Sequence, residues 1–462
     1  MMGSVQLQLS LPYPQASWKW KESKIQMIMQ TCALTKQGER FLTKLTTTSS
    51  TDSLIRKFVQ GSPKSIALTT LSHLLSPSTS YPQLSSLAVP LYARISEAPW
   101  FNWNPTIVAD LAALLDTQGQ HDQAETLVSE ATSRLDSNKR ELALFYCKLV
   151  ESHSKRSAQI GFDVAYSYLN QLLCTSSSVY IKRKAYEYMV SGLCSMDRPR
   201  EAENLVQDLR DNGGLEPSAF ELKSIVYGYG RLGLFQDLQR VVNQMEKSGF
   251  VIDTVCSNMV LSSYGIHGEH MEMVSWLQRM RNSGIPFSVR TYNSVSNSCP
   301  TIMRKMVELN DLPLSIEDLD ASLEGGEAMV VKEMLESCVI LEEVMVWGSL
   351  EVKLDLHGFH LGSSYLVMLL WLEEMHRRLN DSTYGIPAEI TVVCGAGKHS
   401  NIRGESPIKV LVKEMMVKMK SPLRIDRKNN GCFVAKGRAV KNWLCELKSC
   451  QKLSKWNPCK SV

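Results

Sequence analysis

Apolar positions in the middle of the chain recur at helical spacing, in paired runs separated by glycine. Leu222, Ile225, Val226 and Tyr229 form one stripe and end at Gly230-Arg231-Leu232-Gly233. A second stripe follows at Leu238, Val241, Val242 and Met245, and Gly249 then supplies the left-handed residue that closes a helix. The unit is therefore a helix, a tight turn and a helix. Tyr229, Gly230, Gly233, Met245 and Gly249 recur as Tyr264, Gly265, Gly268, Met280 and Gly284, each displaced by thirty-five positions. The same pattern reaches backward through residues 183–218 and through a unit that starts at Pro105. Residues 140–180 read as a further unit with an insertion in its turn, near Ser154 to Gly161. About five such units span residues 100–296. A single hairpin cannot bury its apolar face, so the units are expected to stack into a solenoid with an open concave surface.

From Lys353 the period changes to two. Lys353-Leu354-Asp355-Leu356-His357 alternates, which as a strand turns Leu354 and Leu356 to one side and Asp355 and His357 to the other. Gly358 ends the run, and a helix with a stripe at Leu361, Tyr365, Met368, Leu369, Leu372, Met375 and Leu379 follows. Ile390-Thr391-Val392-Val393-Cys394 is a continuous apolar run of the kind buried on both faces of a sheet, and it runs into Gly395-Ala396-Gly397-Lys398-His399-Ser400. A helix capped by Ser406 starts at Pro407, then come two short strands (423–427 and 432–436) and a last helix near 440–447. The expected fold class is an α-helical repeat solenoid followed by a small α/β domain of order βαβαββα, over residues 351–447.

Between these blocks, residues 297–350 are rich in turns and acid. Residues 304–351 carry three basic side chains against twelve acidic ones, and 329–346 reads as helical. The reading is an acidic helical connector that packs the solenoid against the next domain. From Gly395 to Val462 the balance reverses, with sixteen Lys and Arg against four acids, including a basic tail over 448–462. That end of the chain suits phosphate. The first sixty residues are Ser- and Thr-rich and almost free of acid, with no continuous apolar core of a secretory signal, which reads as an organelle transit peptide and disordered amino terminus. Chloroplast is the preferred compartment and mitochondrion the alternative. The twelve cysteines are scattered without a Cys-x-x-Cys pair, so reduced thiols are expected and no zinc site. No apolar run is long enough to span a membrane.

The thirty-five-residue period resembles the pentatricopeptide repeat family, with Ser257-Asn258-Met259-Val260 and Thr291-Tyr292-Asn293-Ser294-Val295 matching its unit opening. The resemblance implies that the fifth and last residues of a unit read one RNA base. Here these are Lys223 with Asp253, and Asn258 with Ser288, while Asn293 opens the next unit. The Asn and Ser pair looks like a pyrimidine reader, and Lys with Asp leaves its base undefined. Helix pairs alone are equally compatible with a protein-binding solenoid. Trp371 reads as core, with base stacking as the alternative.

Leu354-Asp355-x-His357-Gly358, followed some forty residues later by Gly395-x-Gly397-Lys398-His399-Ser400, resembles the small MutS-related (SMR) domain, whose second motif usually opens with Thr where this chain has Cys394. The loop is neither a Walker loop nor a dinucleotide fingerprint. A deaminase is excluded, because the chain lacks a His-x-Glu with a later Pro-Cys-x-x-Cys. The resemblance implies nicking of nucleic acid, with Asp355, His357 and His399 as the catalytic set and magnesium as the cofactor, held by Asp355. Gly395, Gly397, Lys398 and Ser400 would cradle phosphate, and Arg403, Arg424, Arg427 and Lys428 would hold the RNA backbone. The implied partners are single-stranded organellar RNA and other RNA-processing proteins. Two readings stay open: an RNA endonuclease, or a non-catalytic RNA-binding or scaffold protein in which Asp355 and His357 only fix the fold.

Overall fold

The computed structural model describes residues 34–47, 51–77, 82–175, 178–211, 214–336, 339–381, 383–395 and 406–450. The chain forms two compact units, Met1–Glu221 and Leu222–Val462.

The first unit opens with helices Lys36–Thr47, Thr51–Gly61, Lys64–Leu74 and Ala88–Ser96. Phe41, Leu42, Ile55, Phe58, Leu71 and Leu91 pack into one core with Leu111 and Leu114 of the following repeat, and the Phe41 and Phe58 rings stack 3.9 Å apart. This corrects the expectation of a disordered segment up to residue 60. The acid-poor, hydroxyl-rich composition of that stretch conceals two amphipathic stripes, Phe41-Leu42-Leu45 and Ile55-Phe58-Val59, each of which buries one helix face. Residues 1–33, where the remainder of the transit-peptide reading falls, lie outside the described residues.

Three hairpins follow: Pro105–Thr117 with His121–Leu135, Lys139–Ser154 with Gln159–Thr175, and Val179–Ser195 with Pro199–Asp211. The insertion expected near Ser154 to Gly161 is absent. Residues 155–158 make a tight turn with Ser157 in the left-handed region, and the extra length lies in helices of sixteen and seventeen residues. A buried polar cluster fixes this turn: His153 places Nδ1 2.8 Å from Leu149 O and Nε2 2.7 Å from Asp116 Oδ2.

The second unit begins within the helix Ala219–Arg231, which is followed by Phe235–Lys247, and Thr254–Ile266 pairs with His270–Asn282. Gly249 and Gly284 both have positive φ, and the amide that follows each one reaches back five residues, Phe250 to Met245 at 2.9 Å and Ile285 to Met280 at 2.8 Å. This is the helix-closing arrangement that the thirty-five-residue glycine repeat anticipates.

Val289–Asn297 packs against Thr254–Ile266 as the next first helix. Its partner in sequence, Pro300–Val307, leaves the flank of His270–Asn282 to Gly325–Glu336, which packs there instead. Part of the acidity of this segment is used internally. Glu333 takes Gln278 Nε2 at 2.8 Å and pairs with Arg281 at 2.5 Å, and Glu327 Oε1 accepts from the N–H groups of Thr301 and Ile302.

The mixed domain has a five-stranded sheet among the described residues: β1 Met345–Trp347, β2 Glu351–Asp355, β3 Glu389–Val393, β4 Arg424–Ile425 and β5 Cys432–Lys436. Their order is β1-β2-β3-β5-β4, with β2 and β3 parallel and the other pairs antiparallel. Helices Leu361–Asn380, Pro407–Lys418 and Gly437–Cys450 complete it. The expected βαβαββα order is present, preceded by the edge strand β1. Met345 and Val346, which the apolar pattern places at the end of a helix, pair with Leu354 and Lys353 instead. Trp371 is fully buried, as a core residue.

Candidate nucleic-acid interface

The residues read as base-recognition pairs meet in space. Lys223, 4% exposed, places Nζ 2.9 and 2.8 Å from the two carboxylate oxygens of Asp253, thirty residues on. Asp253 also caps Thr254–Ile266 by accepting from Cys256 N at 2.9 Å. Burial alone would raise the Asp253 carboxyl, but the Lys223 ammonium and the Cys256 amide outweigh it and hold the group below the usual carboxylate range.

The second pair repeats the design with neutral groups. Asn258, 3% exposed, donates from Nδ2 to Ser288 Oγ at 3.2 Å and accepts from Thr291 Oγ1 at 2.7 Å. Ser288 caps Val289–Asn297. In each pair a buried polar residue on one helix supports the exposed or half-exposed cap of the next first helix.

Asn293, 8% exposed, keeps the thirty-five-residue register, but no residue thirty positions further on completes a pair with it. Its Nδ2 donates to Gly358 O at 2.8 Å, and its Oδ1 accepts from His360 N at 2.8 Å and from Ser363 Oγ. The carboxamide that sequence reasoning assigned to RNA alone therefore also fastens the loop after β2 and the start of Leu361–Asn380. Nothing in the sequence periodicity marks His360.

At the carboxyl edge of the sheet, Asp355 ends β2, and its Oδ1 lies 3.0 Å from His357 N and 2.6 Å from His357 Nδ1. Burial opposes ionisation of Asp355, yet these two contacts dominate and keep its carboxyl below the usual range. With Nδ1 turned to Asp355, the imidazole presents Nε2 on its far side. That nitrogen faces the start of the glycine loop, since a Cβ built on Gly395 would stand 3.4 Å from it.

The sheet topology brings further groups to this edge. Val393 pairs with Cys432, and Cys394 N donates to Gly431 O at 2.9 Å, so the turn between β4 and β5, with exposed Arg427 and Lys428, lies on the same side as Asp355 and His357. Arg424 is also exposed but bends back to Leu423 O at 2.9 Å. The Cys394 thiol is pushed up to about 12 by burial, next to Cys432, so it is not poised as a nucleophile. Gly397, Lys398, His399, Ser400 and Arg403 lie outside the described residues.

Among the described residues, no group of three or more His, Cys, Asp or Glu converges as a metal site. Asp355 brings one carboxylate, which suits a magnesium ion whose other ligands are water and substrate phosphate. No described helix is long and apolar enough to cross a membrane.

Helical hairpins in succession, followed by a small mixed domain, define a helical-repeat protein. The family model for the PPR repeat matches residues 185–214 and 255–285, which fall on the hairpins Val179–Asp211 and Thr254–Asn282. Pentatricopeptide repeat-containing protein At2g17033 of Arabidopsis thaliana is 51% identical over 440 residues, covering 93% of this chain and 86% of that protein. The chain belongs to the pentatricopeptide repeat family. More distant relatives include the maize protein ATP4, chloroplastic (19% identical, 56% of this chain and 39% of that protein), and At5g48730, chloroplastic, of Arabidopsis thaliana (23%, 51% and 44%). Among solved structures, maize PPR10 in complex with an 18-nt psaJ RNA element matches at 14% identity and a TM-score of 0.26, covering 62% of this chain and 49% of that one.

Proposed function

We propose that the chain is an organellar RNA-processing factor whose repeats select single-stranded RNA and whose terminal domain, of the SMR type, binds and nicks the selected strand. The observation that carries this reading is the carboxyl edge of the sheet, where an ionised Asp355 orients His357 toward Gly395 beside the basic turn Arg427-Lys428. The βαβαββα order and the spacing of the two motifs support the SMR assignment. Family membership supports RNA as the ligand, read at about one base per repeat.

In the proposed reaction, water attacks a backbone phosphorus, a new P–O bond forms and the bond to the leaving sugar oxygen breaks. His357 Nε2 takes the proton of the attacking water, and His399 returns one to the leaving oxygen. Lys398, the amides of Gly395 and Gly397, and the Ser400 hydroxyl stabilise the negative charge that develops on the phosphoryl oxygens. Magnesium held by Asp355 would supply further neutralisation of that charge. Arg403, Arg424, Arg427 and Lys428 position the strand through its phosphates. Chloroplast is the proposed compartment, supported by the chloroplastic designation of two relatives.

The test uses the full chain and the transcript crosslinked to it in isolated plastids, with magnesium present. Cleavage that is lost in Asp355→Ala and His357→Ala, with binding retained, is the expected result. Tight binding without cleavage by the unaltered protein would reduce the reading to an RNA-binding scaffold. No enriched transcript would point to a protein-binding solenoid.

A further inference from the structure

Three helices of the second unit start in the same way. Asp253, Ser288 and His360 precede Thr254–Ile266, Val289–Asn297 and Leu361–Asn380, with φ and ψ of −92° and 175°, −107° and 170°, and −90° and 174°. The three helices pack in succession, the second against the first and the third against the second. Beside each start lies a buried polar side chain from the preceding first helix: Lys223, Asn258 and Asn293.

The hydrogen bonds repeat as well. Thr291, three residues after the Ser288 cap, gives its hydroxyl to Asn258 and accepts from Ser288 N at 3.0 Å. Ser363, three residues after the His360 cap, gives its hydroxyl to Asn293 and accepts from His360 N at 2.9 Å. Leu361–Asn380 therefore serves two structures, as the first helix of the mixed domain and as the next first helix of the solenoid.

We propose that Asn293 and His360 form a third base-recognition pair, whose second member is donated by the mixed domain across sixty-seven residues of sequence instead of thirty. This rests on the reading of the repeats as RNA-binding. His360 is exposed, as Asp253 is, and its ring presents a face for stacking and an edge for hydrogen bonding. Partial desolvation of the ring lowers its imidazole from the ordinary histidine value. Asn297 Nδ2, 2.8 Å from His360 Nδ1, fixes the ring orientation. Asn293 also bonds the carbonyl of Gly358, which adjoins His357 in sequence, so the pair sits on the loop that leads from the Asp355–His357 edge.

The experiment is selection from a pool of randomised single-stranded RNA by the full chain, followed by sequencing. His360→Ala is expected to erase base preference at one position of the selected motif, immediately next to the position altered by Ser288→Asp, and to weaken binding roughly tenfold. His360→Asn, a residue type favoured at helix starts, should change the preferred base at that position without lowering the melting temperature. A selected motif unchanged in both His360 variants, while Ser288→Asp still shifts its own position, overturns the composite pair and leaves RNA binding intact. If the unaltered protein selects no motif, the RNA reading fails and the pair fails with it.

Discussion

Replacing Asn293 by alanine removes one carboxamide that serves three bonds: to Gly358 O, to His360 N and to Ser363 Oγ. Each intramolecular hydrogen bond contributes about 0.5–1.5 kcal/mol net, and a buried group left without a partner costs more. His360 N retains Ser363 Oγ at 2.9 Å, and the Gly358 carbonyl belongs to an exposed residue that water reaches, so neither is fully orphaned. The expected loss is therefore about 2–3 kcal/mol, or roughly 5–10 °C in melting temperature for a unit of this size. Hydrogen exchange should rise locally in peptides covering 356–364, because the loop after β2 loses its anchor. Asn293→Asp is the control. It keeps the acceptor for His360 N and Ser363 but turns a carboxylate oxygen toward Gly358 O, so exchange should rise chiefly at 356–359. A melting temperature within 1 °C of the unaltered protein, with unchanged exchange over 356–364, would refute the assignment of Asn293 as an anchor.

Two further outcomes follow from buried polar pairs. The folded-state pKa of Asp253 is depressed, so its contribution to stability is full above the unfolded carboxylate value near 4 and is lost as pH falls through the depressed value. Urea titrations of the unaltered protein and Asp253→Asn should therefore differ at pH 6 by a gap that narrows as pH falls below the ordinary carboxylate value, and a gap that does not change with pH would contradict the ion pair with Lys223. In the first unit, His153→Ala removes a ring held at both nitrogens, by Leu149 O and Asp116, and is expected to cost about 2–4 kcal/mol. A double-mutant cycle with Asp116→Ala should show a coupling of about 1–3 kcal/mol, and strict additivity would contradict the contact.

The repeats were legible because glycine marks the backbone itself. Positive φ at Gly249 and Gly284 has to recur wherever the hairpin recurs, so the period survives divergence of the side chains. The mixed domain was legible because its period changes from helical to two at Lys353 and because Leu354 and Leu356 are buried on one side as alternation requires. The amino-terminal helices were hidden by a composition in which Ser and Thr outnumber the six or so apolar residues that form their core. Strand β1 was hidden because Met345 and Val346 continue an apolar run that begins in the helix Val339–Val344. At the interface, Lys223 with Asp253 and Asn258 with Ser288 followed from the family resemblance laid onto the thirty-five-residue register. His360 did not, because periodicity detects partners at a fixed offset, and the mixed domain enters the array only in three dimensions.

Each residue that completes a pair also starts a helix, and this restricts how the family member can change. A position that needed only to contact a base could sample any side chain that improves the fit. Asp253 and Ser288 are held to the short polar residues that satisfy a helix's first amides, a set of four or five types. Altered ligand preference at these positions must be found inside that small alphabet, and the buried partners Lys223 and Asn258, which bond to those caps, are tied to the same helix starts. Divergence among close relatives should accordingly be conservative at the caps and coupled to them at the buried partners, a pattern that a comparison of orthologous chains can score without any binding measurement.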